Sequence, residues 1–518
     1  MFASPQTVPA IVLDVGSRTT KAGFAGADLP QSLFPSIVGS YISEGGSLEG
    51  TPAKPLANTV FAGYENLLGT AERVRFLELR TAFDDDGIIQ DWAAYEGLLD
   101  YTFHQLRASP EEYALLLVEA SHNPKRPREE LCQVLFEKYG VPAVYFGRSA
   151  ALACVAAGRH TGVVLDCGAS GVTATPVVEG NVMKQAILRS RVAGGNALTR
   201  AAAELLGGFD AVRPPYAFRR RALGRGTNKR DAADPEAATE ELAAAASTDG
   251  SSSSEEADDR VDLIGGRTPD TESAASVAEG RMEFRIEPLD VHGVTRSYDE
   301  YARIEVVEDF KHHVCCVNRE PSSVEDVAED GTASNAVSWE TRKADDEGVA
   351  GQPADPDIPP IRYELPDGTL VSIGAERYRP AEILFKTLPH ARTIKEDRPF
   401  LAYIRERERG PSSSKGLAGM VADTIQRCEG AQHREMYAGV ILTGGSSVLP
   451  GLSDRLQTEL YFYHSRSKIH AAANPMERKY MAWTGGSILA TFMDFQQNWF
   501  SRAEYLESGV SLVQKRCP

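Results

Sequence analysis

The chain has 518 residues, 42% of them hydrophobic, and a formal net charge of −18. That length exceeds one ordinary core and predicts two to four structural units. The lack of any window of ~18 apolar residues argues against a membrane-spanning helix, and with only one short basic cluster direct DNA binding is not expected. The opening "MFASPQTVPA" has neither the basic nor the apolar region of a secretory leader. Seven cysteines without CxxC or Cys/His ligand spacing predict reduced thiols, as in a cytosolic or nuclear protein.

In chain order, "AIVLDVG" (10–16) and "TTKAGFAG" (19–26) read as a hairpin. "SPEEYALLLVEA" opens with a helix-entry signal and passes into a buried strand around residues 115–118. "RPREELCQVLFEKYGV" predicts an amphipathic helix closed by Gly140. "PAVYFG" reads as a strand, "RSAALACVAAG" as a small-residue helix ending at Gly158, and "TGVVLDCG" as the next strand. This rhythm predicts an α/β fold whose sheets are covered by helices.

The charge is concentrated. Residues 229–283 hold 15 acidic against 5 basic side chains, and residues 320–357 hold 11 against 2, leaving the rest close to neutral. Both segments have the composition of disorder, and "RERERGPSSSKG" (405–416) is a third break. All three read as insertions, either as solvated loops or as acidic arms for a basic partner such as a histone. Arg219, Arg220, Arg221 and Arg225 form a short basic cluster, readable as a nuclear-import patch or as a solvated helix end.

The opening hairpin has a twin. "IVLDVGSRTTKAGF" (11–24) and "VVLDCGASGVTATP" (163–176) share three apolar residues, then Asp, any residue, Gly, then Ser or Ala. Glycine lets backbone N–H groups approach phosphate oxygens. Carboxylates facing phosphates are tolerable only around a bound cation, and Lys21 would add a direct positive charge. A third element, "AGVILTGGSSVLPGLSDRLQTEL" (438–460), reads as a strand, a Gly-Gly turn at Gly444 and Gly445, and a helix whose N-terminus suits a nucleotide.

These elements in this order resemble the superfamily of actin, Hsp70 and the sugar kinases. Longer stretches resemble actin itself, notably "TKAGFAGADLPQSLFPSIVG", "FHQLRASPEEYALLLVEASHNPK", "IGAERYRPAEILF" and "ERKYMAWTGGSILATFMDFQQNWFSRAEYLESG". The loop "SYISEGGSLEGTPAKPLANTVFAG" (40–63) lacks the hydrophobic segment that actin inserts into a filament neighbour. "VRPPY" (212–216), "VTRSYDEY" (294–301) and the terminal "KRCP" are similar to the nuclear, fourth class of actin-related proteins.

The resemblance implies a two-lobed actin-like ATPase fold of the Hsp70/hexokinase type, with a nucleotide cleft between the lobes. Residues 1–156 would form lobe I, with 40–79 as a small subdomain. Residues 157–480 would form lobe II, and 481–518 would return to lobe I. It implies ATP or ADP with Mg²⁺, held by Asp14, Gly16, Ser17, Lys21, Asp166, Gly168, Gly194, Lys311, Gly444, Gly445 and Lys479, with Asp14 and Asp166 facing the metal through water. It also implies a non-filamentous subunit of a chromatin-remodelling or histone acetyltransferase complex, paired with an actin monomer on a scaffold helix and reaching histones through the acidic insertions. A cytoplasmic actin-related protein that caps or nucleates filaments is the alternative.

Departures from the actin pattern fall on the chemistry. Ser149 stands where actin's water-positioning glutamine aligns, Thr173 where a histidine aligns, and Ala169 where an acidic residue aligns. Arg18 replaces a phosphate-loop glycine, so it would crowd the γ-phosphate or pair with it. His312 and Leu449 replace a glutamate and an aromatic residue near the adenosine. Nucleotide binding with little or no hydrolysis is the expectation.

Overall fold

A computed structural model describes residues 8–42, 60–222, 284–319, 358–385 and 416–517. Most of the polar loop 40–63, Arg225, the three insertions and Pro518 lie outside the described residues. Met1–Phe218 and Leu289–Pro518 form one compact unit, and Arg219–Pro288 form a second. At the ends of the first acidic insertion, Phe218–Ala222 and Phe284–Pro288 pair as a two-stranded sheet. The basic cluster therefore starts in a strand, not at a helix end, and Arg221 Nε lies 3.1 Å from Glu287 Oε2.

The larger unit contains two six-stranded sheets built on one plan. In the first, Ala10–Val15 pairs antiparallel with Thr19–Phe24 and parallel with Ala114–Glu119, which pairs parallel with Ala143–Arg148. In the second, Gly162–Cys167 pairs antiparallel with Val172–Val178 and parallel with Val440–Thr443. The twin motifs thus occupy equivalent places, each at the centre of its sheet. Ile11, Val12 and Leu13 are buried, as are Val163, Val164 and Leu165. Such apolar runs suit strands covered on both faces.

Two helices serve both sheets. Ser149–Ala156 and Pro475–Thr491 pack on the first sheet through Leu152 and Trp483, and on the second through Ala153, Cys154 and Met481. Glycine makes their approach possible, because a Cβ on Gly485 would stand 1.8 Å from the Leu152 carbonyl oxygen. Trp483 is fully buried and its indole N–H donates to the Val12 carbonyl at 2.9 Å.

Other expected elements form with local differences. The Ser-Pro-Glu-Glu signal yields only a single 3₁₀ turn, Pro110–Glu112, before the strand Ala114–Glu119. The amphipathic helix runs Lys125–Gln133 and widens into a π-helical turn, Val134–Lys138, before Gly140 at φ 65°. All seven cysteines are free, and Cys315 simply follows a helix end. Among the described residues no helix is long and apolar enough to cross a membrane.

Candidate functional site: a cleft between the two sheets

The turns of both hairpins open into one cleft of about 630 Å³, within the range of small-molecule sites. Ten of the expected contacts line it: Asp14, Gly16, Ser17, Lys21, Asp166, Gly168, Lys311, Gly444, Gly445 and Lys479. Gly194 is not on the lining. It caps the helix Gly195–Leu205 from outside, and a Cβ there would meet Gly171 N at 2.5 Å and Ala169 O at 2.6 Å. Its role is to let that helix sit tightly against the second hairpin, while its neighbour Gly195 lines the cleft.

Register explains the polar arrangement. Asp14 lies opposite Lys21 across the first hairpin, and their side chains pair at 2.8 Å. Asp166 takes the same place in the second hairpin but faces Thr173. Burial, and then the nearby Asp14 carboxylate, push Asp166 up to about 6. Such a site favours a bound cation. Lys479 is half-buried beside Lys21, and its ammonium has no salt bridge among the described residues. Burial, then Lys21, lower its pKa. Two cations, two carboxylates and several glycines lining one cleft fit a Mg²⁺–polyphosphate group.

Gly444 shows why glycine is needed. It has φ 94°, and a Cβ would lie 2.6 Å from Asp166 Oδ1 and 2.5 Å from the Cys167 carbonyl oxygen. At Gly445 a Cβ would enter open space, so this backbone is bare toward the cleft. The pair opens a 3₁₀ turn, Gly445–Val448, and the long helix begins only at Leu452. Pro450 and Gly451, the latter at φ 84°, interrupt the chain. The expected helix N-terminus is therefore this short turn.

The positions that the resemblance to actin ties to hydrolysis carry short side chains. Ser149 begins a helix and its hydroxyl lies 3.2 Å from the Ser121 hydroxyl. Thr173 is buried in its strand, and Ala169 adds no polar group. Sequence reasoning missed His122, which lines the cleft with Nε2 2.6 Å from Arg189 Nη1. Burial, then Arg189, lower its pKa, so the ring is neutral near pH 7.

Two clusters of ion pairs cross the cleft; the sequence reading had singled out Arg18, Lys311 and His312 but not the carboxylates they meet, nor any of the second cluster. Arg18, in the first hairpin, reaches Glu305 at 2.6 Å and Glu308 at 4.0 Å on the helix Arg296–Val314. In this arrangement its guanidinium is held by those carboxylates. Glu308 also takes Lys311 at 2.5 Å and His312 at 3.4 Å, and Lys311 donates to Thr199 at 3.0 Å. Burial would raise the Glu308 pKa, but bonds from His312 and Lys311, with the Arg18 charge, hold it well below the usual carboxylate range. Lys311 thus reaches the cleft as half of a buried ion pair. In the second cluster, Asp86 receives Arg191 at 2.6 and 2.7 Å and Arg189 at 3.1 Å. The visible signal for these pairs was a charged residue replacing a loop glycine, and sequence could not say what it would meet.

Two sheets sharing one hairpin plan around a cleft with paired aspartates define a nucleotide-cleft fold of the actin type. The chain belongs to the actin family, which it matches over residues 5–257 and 268–518. It is similar to Actin-related protein 4 of Oryza sativa, in both subspecies indica and japonica, at 29% identity over 533 aligned positions. It is similar to Actin-related protein 4 of Arabidopsis thaliana at 28% over 541. Each alignment covers 99% of this chain and 99% of the relative, so the likeness to the fourth class holds along the whole chain.

Proposed function

We infer that this actin-related protein is a nucleotide-holding structural subunit of a nuclear chromatin-remodelling or histone acetyltransferase complex, with little or no ATPase activity. One observation carries the reading: the holding groups Asp14, Lys21, Asp166, Gly444 and Lys479 converge on the cleft, while Ser149 and Thr173 offer only short hydroxyls beside them. Asp14 and Asp166 would hold Mg²⁺, which would supply positive charge to offset the phosphates. Around it, this chain's own groups orient the phosphates through bare glycine backbone and Lys21 and Lys479.

Loss of one positioned group in proton transfer commonly costs ~10²–10⁴-fold in rate, so two short replacements remove most turnover. The likeness to the fourth class supports the nuclear setting, with an actin monomer and a helical scaffold segment as partners and histones as ligands of the acidic insertions. Affinity purification of the full chain with mass spectrometry tests that setting. Recovery of a remodeller ATPase or acetyltransferase scaffold together with actin is expected. Recovery of filament-capping or nucleating proteins alone would overturn it.

A further inference from the structure

The phosphate-holding groups occupy only part of the cleft, and two of the elements that carry them turn apolar beyond it. Past Gly445, the 3₁₀ turn brings Val448 and then Leu449 to the lining. One helical turn before Lys479 stand Pro475 and Met476, also on the lining. Leu198, on the helix Gly195–Leu205 that abuts the second hairpin, completes this end. Leu198 and Leu449 belong to the core of the second sheet, whereas Met476 is 45% exposed. The slot is therefore apolar at its floor and open at its rim. A ring attached to phosphates at Lys21 and Lys479 has this slot to occupy.

The polar groups at this end are spent on one another. Glu308 Oε1 accepts the Thr199 hydroxyl at 2.5 Å, while its Oε2 takes Lys311 at 2.5 Å and His312 at 3.4 Å. Lys311 also donates to Thr199 at 3.0 Å. Asp309 takes Tyr363 and His313. The Ser446 hydroxyl donates to the Gly168 carbonyl at 3.4 Å and the Ser447 hydroxyl to the Gly444 carbonyl at 2.6 Å. Even the backbone N–H groups of Leu449 and Met476 are taken, by the Ser446 carbonyl and Asn474 Oδ1. Among the described residues, no carboxylate or hydroxyl on this slot is left over to read the edge of a base.

Adenine and guanine differ in their edges and not in their faces. Adenine carries an amino donor where guanine carries a carbonyl acceptor, and guanine adds a second amino group. Strong discrimination between such a pair needs fixed partners that the wrong base leaves unpaired, and apolar contact alone supplies little. We propose that the cleft takes purine nucleoside triphosphates with little regard to which purine they carry. Leu449 and Met476 hold the ring by its face, and its polar edge stays in water at the open rim. This rests on the nucleotide-binding reading above and deepens it by naming the class of nucleotide.

The test is calorimetric titration of the full-length chain, stripped of nucleotide with EDTA and returned to Mg²⁺. The titrants are ATP, GTP, ITP and inorganic tripolyphosphate. The three nucleotides are expected to bind within about tenfold of one another, and each more tightly than tripolyphosphate. Met476→Ala, at an exposed position, is expected to weaken ATP and GTP alike by about threefold to tenfold and to leave tripolyphosphate unchanged. A larger preference for one purine, tripolyphosphate binding as tightly as ATP, or a Met476→Ala loss that is absent or confined to one purine would overturn the proposal. A folded chain that binds none of the four would instead overturn the nucleotide-binding reading, and the proposal with it.

Discussion

Asp166 is the residue whose chemistry is most exposed to test. Burial first, and then Asp14, push its folded-state pKa up to about 6, from the usual aspartate value of about 3.9. Between those values the folded chain binds more protons than the unfolded one, so without Mg²⁺-nucleotide stability falls as pH rises through that window. Thermal melts of the stripped chain from pH 4 to 7 should show this decline, levelling off above about pH 6, and saturating Mg-ATP should abolish it. Asp166→Asn should stabilise the stripped chain at pH 7 by on the order of 2 kcal/mol and weaken the Mg²⁺ dependence of nucleotide binding. Ser149 and Thr173 make the reciprocal case: Ser149→Gln with Thr173→His should raise steady-state phosphate release by ~10²-fold or more if reach is what the cleft lacks.

The hairpins were legible as elements because their chemistry is local. Three apolar residues, Asp and Gly fix a strand end, and both copies sit at the centres of their sheets. The helix pair between the sheets was not legible, since the need for Gly485 depends on Leu152, far away in sequence. Gly485→Leu should therefore cost more than the ~1–3 kcal/mol of ordinary overpacking, read as a lower denaturation midpoint. Trp483→Ala should cost ~3–5 kcal/mol. The cross-cleft pairs were hidden for the same reason, because Arg18 and Glu305 are 287 positions apart. The glycine turn at Gly444 was read as a close approach to a nucleotide; the neighbours it needs room for here are Asp166 and Cys167, and its expected helix was displaced by Pro450 and Gly451.

At the scale of the molecule, residues flanking the cleft hold the two sheets together from both sides, through Arg18 with Glu305 and Asp86 with Arg191. A nucleotide bound between them would add a third tie and stabilise by mass action, about 2.7 kcal/mol at a hundredfold excess over Kd. The central claim is that the cleft keeps its nucleotide without consuming it. The most direct measurement is to load the full-length chain with Mg²⁺ and γ-labelled ATP, remove free nucleotide, and follow bound ATP and released phosphate over hours. The account predicts stoichiometric bound ATP that stays largely intact. Rapid phosphate release leaving bound ADP, or a folded chain that retains no nucleotide, would contradict it.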